Sequence, residues 1–266
     1  MIKLGVNSVL FQGHDLATAM KHIAWAGYDG IEISAIKGMC EHLDLDNWRP
    51  QVDMIKSLAV ENRLALLSTE VASLDEDRLT LAFEACQAIG IPIVNVGPGG
   101  KSDDETDFVT QTALIGRLAD KAATYGVTLC CKAHVGGSIY NTPTTLRAMK
   151  IIKSKAFGVD MDPSHIFRAG EDPAQALPAV IKRVKHIHIR DCKGRGPSPG
   201  EAHNQACGRG DIDLFGYCKA MAKAKYDGPV CLEVIGAGQF ELPRRDVIAA
   251  ESYGYLNACL KQLKAR

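Results

Sequence analysis

Short apolar runs that end in polar or small residues recur along the chain. They are IKLGVNS (2–8), GIEISA (30–35), LALLST (64–69), IVNVG (93–97), VTLCCK (127–132), FGVDMD (157–162), VKHIHIRD (184–191) and PVCLEVIG (229–236). Runs of this length, rich in valine, isoleucine and leucine, predict strands covered on both faces. Helically spaced stretches lie between them. DLATAMKHIAWAG opens on Asp15 as N-cap and stops at Gly27, and TPTTLRAMKIIKS sets Thr142, a capping residue, before Pro143. DIDLFGYCKAMAKAKYDG also ends at a glycine, and YGYLNACLKQLKAR closes the chain as a basic amphipathic helix. Eight strands alternating with about eight helices, with no linker or low-complexity break, predict one α/β domain over residues 1–266. The count and even spacing favour a (β/α)8 TIM barrel over its rival, an open doubly wound sheet.

In such a barrel the C-terminal ends of the strands meet at one mouth, where chemistry is found. The predicted ends carry Glu32, then Ser68, Thr69 and Glu70, then Asn95 before GPGG, then Lys132 and His134. Asp160, Asp162 and His165 follow, then His186, His188 and Asp191, and finally Glu233. Any one of these reads as a solvated loop residue. Asp162, His188 and Glu233 on three successive strands instead make a carboxylate–imidazole–carboxylate set suited to a divalent cation. Alternation puts His186 and His188 on one face, and His188, nearer the mouth, is the expected ligand. Glu233 sits between Leu232 and Val234, where a buried carboxylate needs a cation or strong hydrogen bonds.

Charge and composition narrow the partner. Formal net charge is zero and the pI is about 7.1, so no basic field exists to hold nucleic acid or an anionic membrane. A small molecule is the expected partner. The nine cysteines show no C-x-x-C pair or regular framework, which fits free thiols in a reducing compartment. The N-terminus reads as a strand rather than a signal peptide, and no run approaches the roughly 18 apolar residues of a membrane span. A cytoplasmic location is expected.

With these residues in view, the chain resembles the sugar phosphate isomerase/epimerase superfamily of xylose isomerase-like TIM barrels. That group includes ketose 3-epimerases, hydroxypyruvate isomerase, inosose dehydratase, dehydroshikimate dehydratase and endonuclease IV. The resemblance rests on GYDGIEIS, GVTLCCKAHVG with NTPTTLRAM, GVDMDPSHIFRAGEDP, VKHIHIRDCKGRG, and GRGDIDLFGYCKAM with YDGPVCLEVIG. It implies one divalent ion, manganese first and magnesium, cobalt or zinc as substitutes. The implied ligands are a glutamate after the fifth strand, an aspartate after the sixth, a histidine after the seventh and a glutamate after the eighth. The last three match Asp162, His188 and Glu233, and His165 matches a substrate-binding or neighbouring histidine. The first does not match: Lys132 stands where the glutamate should be. Endonuclease IV is set aside, because the second and third strands offer Glu32 and Thr69/Glu70 instead of its extra histidine ligands. Family members often form homo-oligomers.

Three readings of Lys132 remain open. The ion stays on three protein ligands while Lys132, its pKa lowered by burial and a nearby cation, binds substrate or acts as a base. Alternatively His134, two residues on, supplies a fourth ligand. In the third, no metal is bound, and Lys132 pairs with Asp162 and Glu233 or works as an amine catalyst. The resemblance implies isomerisation or epimerisation of a keto-sugar through a metal-stabilised enediolate, with a lyase or dehydratase using the same enolate chemistry as the alternative. A barrel that binds a ligand without chemistry is the third alternative. Lys132, Glu233 and His165 are the expected catalytic residues, and His134, Glu32, His186, Arg195 and Arg209 the expected substrate contacts. Arg168, Arg190 and Lys193 join Arg195 and Arg209 as candidates for a substrate phosphate or carboxylate. GPGGKS lacks P-loop spacing and reads as a tight loop. Trp25 and Trp48 read as packing, Phe11 and Gln12 as pocket lining, and His203 and Gln205 as parts of a lid.

Overall fold

The computed structural model describes residues 1–266. Eight parallel strands close on themselves: β1 (Lys3–Asn7), β2 (Gly30–Ile36), β4 (Ala65–Ala72), β5 (Ile93–Val96), β6 (Thr128–Lys132), β7 (Phe157–Asp160), β8 (Val184–Ile189) and β9 (Pro229–Leu232). Each pairs with the next, and β1 pairs with both β2 and β9, which leaves no open edge in the barrel. The eight predicted runs therefore become the eight barrel strands. A two-residue strand the pattern did not predict, β3 (Cys40–Glu41), adds antiparallel to the end of β2.

The outer ring consists of α1 (Leu16–Trp25), α2 (Val52–Glu61), α3 (Glu76–Ile89), α4 (Glu105–Thr124), α5 (Thr142–Ile151), α6 (Pro163–Arg168), α7 (Pro173–Val180), α8 (Leu214–Lys223) and α9 (Leu242–Gln262). Asp15 caps α1 as expected, accepting from the Thr18 amide at 2.8 Å. The cap of α5 is Asn141 rather than Thr142, because Asn141 and Thr144 satisfy each other in a capping box. The apolar faces of strands and helices form one continuous core between barrel and ring. Trp48 joins that core, whereas Trp25 ends α1 at the surface, 68% exposed, with the Lys21 ammonium 4.8 Å from its ring. Phe11 is also core, and Gln12 binds the Met39 carbonyl, so neither lines the mouth.

The bottom of the barrel is tightly drawn. A Cβ on Gly30 would lie 2.5 Å from the Ala65 carbonyl oxygen and 2.7 Å from Leu67 Cγ, so only glycine lets β2 approach β4 there. No helix is long and apolar enough to cross a membrane.

Candidate active site

Strand register gathers the polar positions. Asn7 lies beside Glu32, Glu32 beside Ser68, and Glu70 beside Asn95. Lys132 lies beside Asp160, which lies beside His186. All of these, with His188, Arg190, Asp162 and Glu233, are buried. Such a set persists inside a barrel only if its members satisfy one another.

Two networks do so. In the deeper one, His186 Nδ1 donates to Asp160 Oδ1 at 2.9 Å, and Ser68 Oγ donates to His186 Nε2 at 2.9 Å. His188 reaches Asp160 through Nδ1 and Glu32 through Nε2, each at 2.5 Å, and Asn95 Nδ2 donates to Glu32. Burial opposes a charged His188, but the carboxylates of Asp160 and Glu32 outweigh it and hold the imidazole well above its usual range. His188 is therefore a cation with both nitrogens donating.

The upper network surrounds Lys132. Its ammonium lies 3.1 Å from Glu70 Oε1 and 3.0 Å from each oxygen of Glu233. Asn7 Nδ2 donates to the other Glu70 oxygen at 2.6 Å. Arg190 reaches across the same group, with Nη1 3.2 Å from Glu233 Oε2 and Nη2 3.1 Å from Asp162 Oδ2. Asp162 also caps α6, its Oδ1 accepting from the Ser164 amide and hydroxyl at 2.7 Å.

Burial works against a charged Lys132, yet Glu233 and Glu70 outweigh it and hold the amine above the ordinary lysine range. The direction is opposite to the lowering expected for a lysine beside a metal ion: among these carboxylates Lys132 is held as an ammonium. The two carboxyl groups that share it diverge. Burial, then the Glu233 carboxylate, pushes Glu70 up to about 8. Burial also acts against ionised Glu233, but Lys132 and Arg190 hold it well below the usual carboxylate range. Divergent partners of this kind mark acid and base roles.

Above the upper network opens a cavity of about 650 Å³, within the range of small-molecule sites. Lys132, Glu70, Glu233 and Arg190 contribute to its lining, with His134, His165 and Arg168 and the backbone of Gly97–Gly100 and Gly136–Gly137. His165 lies between two guanidinium groups, 2.9 Å from Arg168 and 3.0 Å from Arg190. Burial, then Arg190, keeps it well below the usual imidazolium range, so it is neutral. β6 ends at Lys132, and His134 lies in the following loop, its ring 4.0 Å from that of His165.

Of the expected catalytic residues, Lys132, Glu233 and His165 meet at this cavity, as does His134 of the expected substrate contacts. Glu32 and His186 lie beneath, wholly buried. The other two expected contacts face elsewhere. Arg195 donates to the Phe167 carbonyl and stacks on the Phe167 ring, and Arg209 pairs with Glu251 on α9. Gln205 holds the long loop to the end of β9, exchanging hydrogen bonds with the Ile235 backbone. Glu70, named among the predicted strand ends but with no expected role, is a buried carboxylate on β4 and joins Glu233 on Lys132.

Buried groups spaced to hold a metal ion are present: Glu32–Glu70–His188, Asp160–His186–His188 and Glu32–His186–Cys231. Asp162, His188 and Glu233 are not among the sets whose ligand atoms converge. Arg190 stands on Asp162 and Glu233, Lys132 holds both oxygens of Glu233, and both nitrogens of His188 face carboxylates. In this arrangement the expected ligand set does not fit a divalent ion, because fixed cations occupy its carboxylates.

Comparison with known proteins agrees with the architecture. A family model described as a xylose isomerase-like TIM barrel matches residues 20–259. A ketose 3-epimerase of Arthrobacter globiformis is 21% identical over 226 residues, 82% of this chain and 68% of its own length. An inosose dehydratase of Lacticaseibacillus casei is 26% identical over 131 residues, 44% of this chain and 43% of its own, less than half of that relative. Among solved structures, D-psicose 3-epimerase from Clostridium cellulolyticum H10 superposes with a TM-score of 0.78 at 17% identity, covering 97% of this chain and 99% of that one. A probable 3-DHS dehydratase from Bacillus anthracis gives 0.74 at 14% identity, covering 95% and 98%. These relatives are enzymes by name, and the last two likenesses are of fold. The closed barrel and the family match over most of its length establish that this chain belongs to the xylose isomerase-like TIM-barrel family.

Proposed function

We propose that the chain is an isomerase or epimerase that removes the proton α to the carbonyl of a small keto-sugar or sugar derivative. The carrying observation is the pair of buried carboxyl groups, Glu233 and Glu70, that share the Lys132 ammonium at the floor of the cavity. Glu233, held ionised by Lys132 and Arg190, is the base. Glu70, protonated at neutral pH, is the acid that returns a proton. Negative charge that develops on the substrate oxygens meets Lys132 and Arg190, buried and fixed cations that line the cavity. His165 and Arg168 bind further polar groups of the substrate.

A dehydratase is the second reading, and Glu70 favours it. A carboxylic acid beside the base can protonate a departing β-hydroxyl as readily as it reprotonates carbon. The names of the relatives, ketose 3-epimerase and inosose dehydratase, support both outcomes. A barrel that only binds would not require a base and an acid on one ammonium. The manganese ion implied by the resemblance is not part of this reading, because its expected carboxylates already carry cations. Residues 1–266 act as one domain, and their nine buried, unpaired cysteines support a reducing, cytoplasmic setting.

The test is conversion of ketohexoses and cyclic keto-polyols by the wild type and Glu233→Gln. Turnover of one class, lost by about 10²–10⁴-fold in the variant, supports the reading. Equal turnover in both proteins contradicts it.

A further inference from the structure

The family resemblance implies a divalent ion at the barrel mouth, and the side chains there disagree with it. The substitution of Lys132 for the expected glutamate is the sequence half of that disagreement. The structural half is where the lysine goes. The residue is only 4% exposed, and its ammonium lies between Glu70 and Glu233, in contact with both oxygens of Glu233. Arg190 completes the arrangement from β8. Two residues beyond His188, it continues the inward face of that strand and spans Glu233 and Asp162. Thus two of the three expected ligands that match the resemblance are neutralised by side chains of this chain. The third, His188, has each ring nitrogen against a carboxylate, Glu32 or Asp160.

The replacement is also matched in charge and in unused valence. One ammonium and one guanidinium carry together the two positive charges of a divalent ion, and they touch the carboxylates that would hold it. The set is not saturated. Arg190 Nη1 and Asp162 Oδ2 are buried without a partner in hydrogen-bond geometry. Buried polar atoms left in this way call for an explanation. Lys132 and Arg190 both contact Glu233 and both line the cavity, so the ammonium and the guanidinium together form a cationic floor for adjacent oxygens on a substrate.

We propose that Lys132 and Arg190 replace the divalent ion, and that this chain stabilises its enediolate with two fixed organic cations, independently of metal. The step balances without a co-reactant: the C–H bond breaks to Glu233, its electron pair becomes the enediolate, and the carbonyl oxygen takes the charge against Lys132 and Arg190. The inference rests on the α-proton reading above.

Metal binding tests it without substrate. Wild-type protein, purified without chelator, is analysed for metal content and then melted with and without MnCl2, beside Lys132→Glu and Lys132→Gln. The wild type is expected to carry no stoichiometric divalent ion and to show no change in Tm with Mn2+. Lys132→Glu, which restores the fourth carboxylate and removes one cation, is expected to gain roughly 5 °C at saturating Mn2+. If that variant does not fold, Lys132→Gln is expected to show a smaller gain. Stoichiometric metal in the wild type, a wild-type Tm rise with Mn2+, or variants that respond no more than wild type overturns the proposal. Metal-bound wild type would leave the α-proton reading standing. Metal-free wild type inactive on every keto-sugar would instead remove the α-proton reading and with it the enediolate role of the two cations, leaving only their displacement of the ion.

Discussion

At the scale of single residues, the environment of Lys132 decides the chemistry. An isolated buried lysine loses its proton, but one held between two carboxyl groups keeps it, and those groups then separate into a strong and a weak acid. Glu70 is the titrating partner, with its pKa pushed up to about 8. The sign follows. Glu70 is in its acid form below that value and ionises above it, so a reaction that needs the acid slows as pH rises through about 8. Glu233, held low, imposes no loss in that range. The expected pH–rate profile falls on the alkaline side near 8, and Glu70→Gln removes that limb. Stability has the same sign. A carboxyl group raised from about 4.3 in the unfolded chain stabilises fully below that pH and loses its contribution as pH passes its folded value. Urea midpoints should therefore lose this contribution between about pH 4 and about pH 8 in the wild type and fall less over that range in Glu70→Gln. An unchanged profile in the variant would remove Glu70 from the acid role.

At the scale of elements, strand ends and the loops that follow them carry the site, and one aspartate organises the longest loop. Asp191, just past β8, accepts from the amides of Cys192, Ile212 and Gly208 at 3.0–3.1 Å. Gly210 passes so close that a Cβ would lie 2.2 Å from Asp191 Oδ1. This stitch leaves residues 193–200 exposed at the rim, where Pro197 and Pro199 reach the cavity. Asp191→Ala should speed cleavage within 193–200 under limited proteolysis while leaving the far-UV spectrum unchanged. Cleavage at the wild-type rate would show that the loop is held by other contacts.

The strands were legible because eight apolar runs with period-two ends have few other destinations, and most of the mouth followed from their last residues. Glu70 stands among the predicted strand ends, but its role depends on Lys132 reaching it across the barrel from 62 residues away, a pairing that local pattern does not encode. Arg190 was read as a loop cation, although the alternation that aligned His186 with His188 also turns Arg190 inward. Arg209 could not be placed from sequence, since its partner Glu251 is 42 residues away on α9. Pairings of that range depend on how helices close around the barrel, which local pattern does not encode.

At the scale of the whole molecule, the barrel keeps reactive groups either at the mouth or out of reach. All nine cysteines are free and buried. Burial raises the Cys192 thiol, nearest the loop, to about 11 and Cys218 to about 12. Native protein at mildly alkaline pH should therefore react negligibly with a thiol reagent, and all nine should titrate once it is unfolded. Rapid labelling of the native protein would mean that the barrel wall opens readily.

The central claim is that Glu233, working beside Lys132 and Arg190, makes a carbon acid of a bound keto-sugar without a metal ion. Solvent isotope exchange tests it most directly. Chelator-treated wild type is incubated with a ketohexose in D2O, and the carbon-bound protons next to the carbonyl are followed by proton NMR. The account predicts loss of one such signal to deuterium, at a rate unchanged by the chelator and abolished in Glu233→Gln. No exchange in the wild type, or exchange that appears only when Mn2+ is restored, would contradict it.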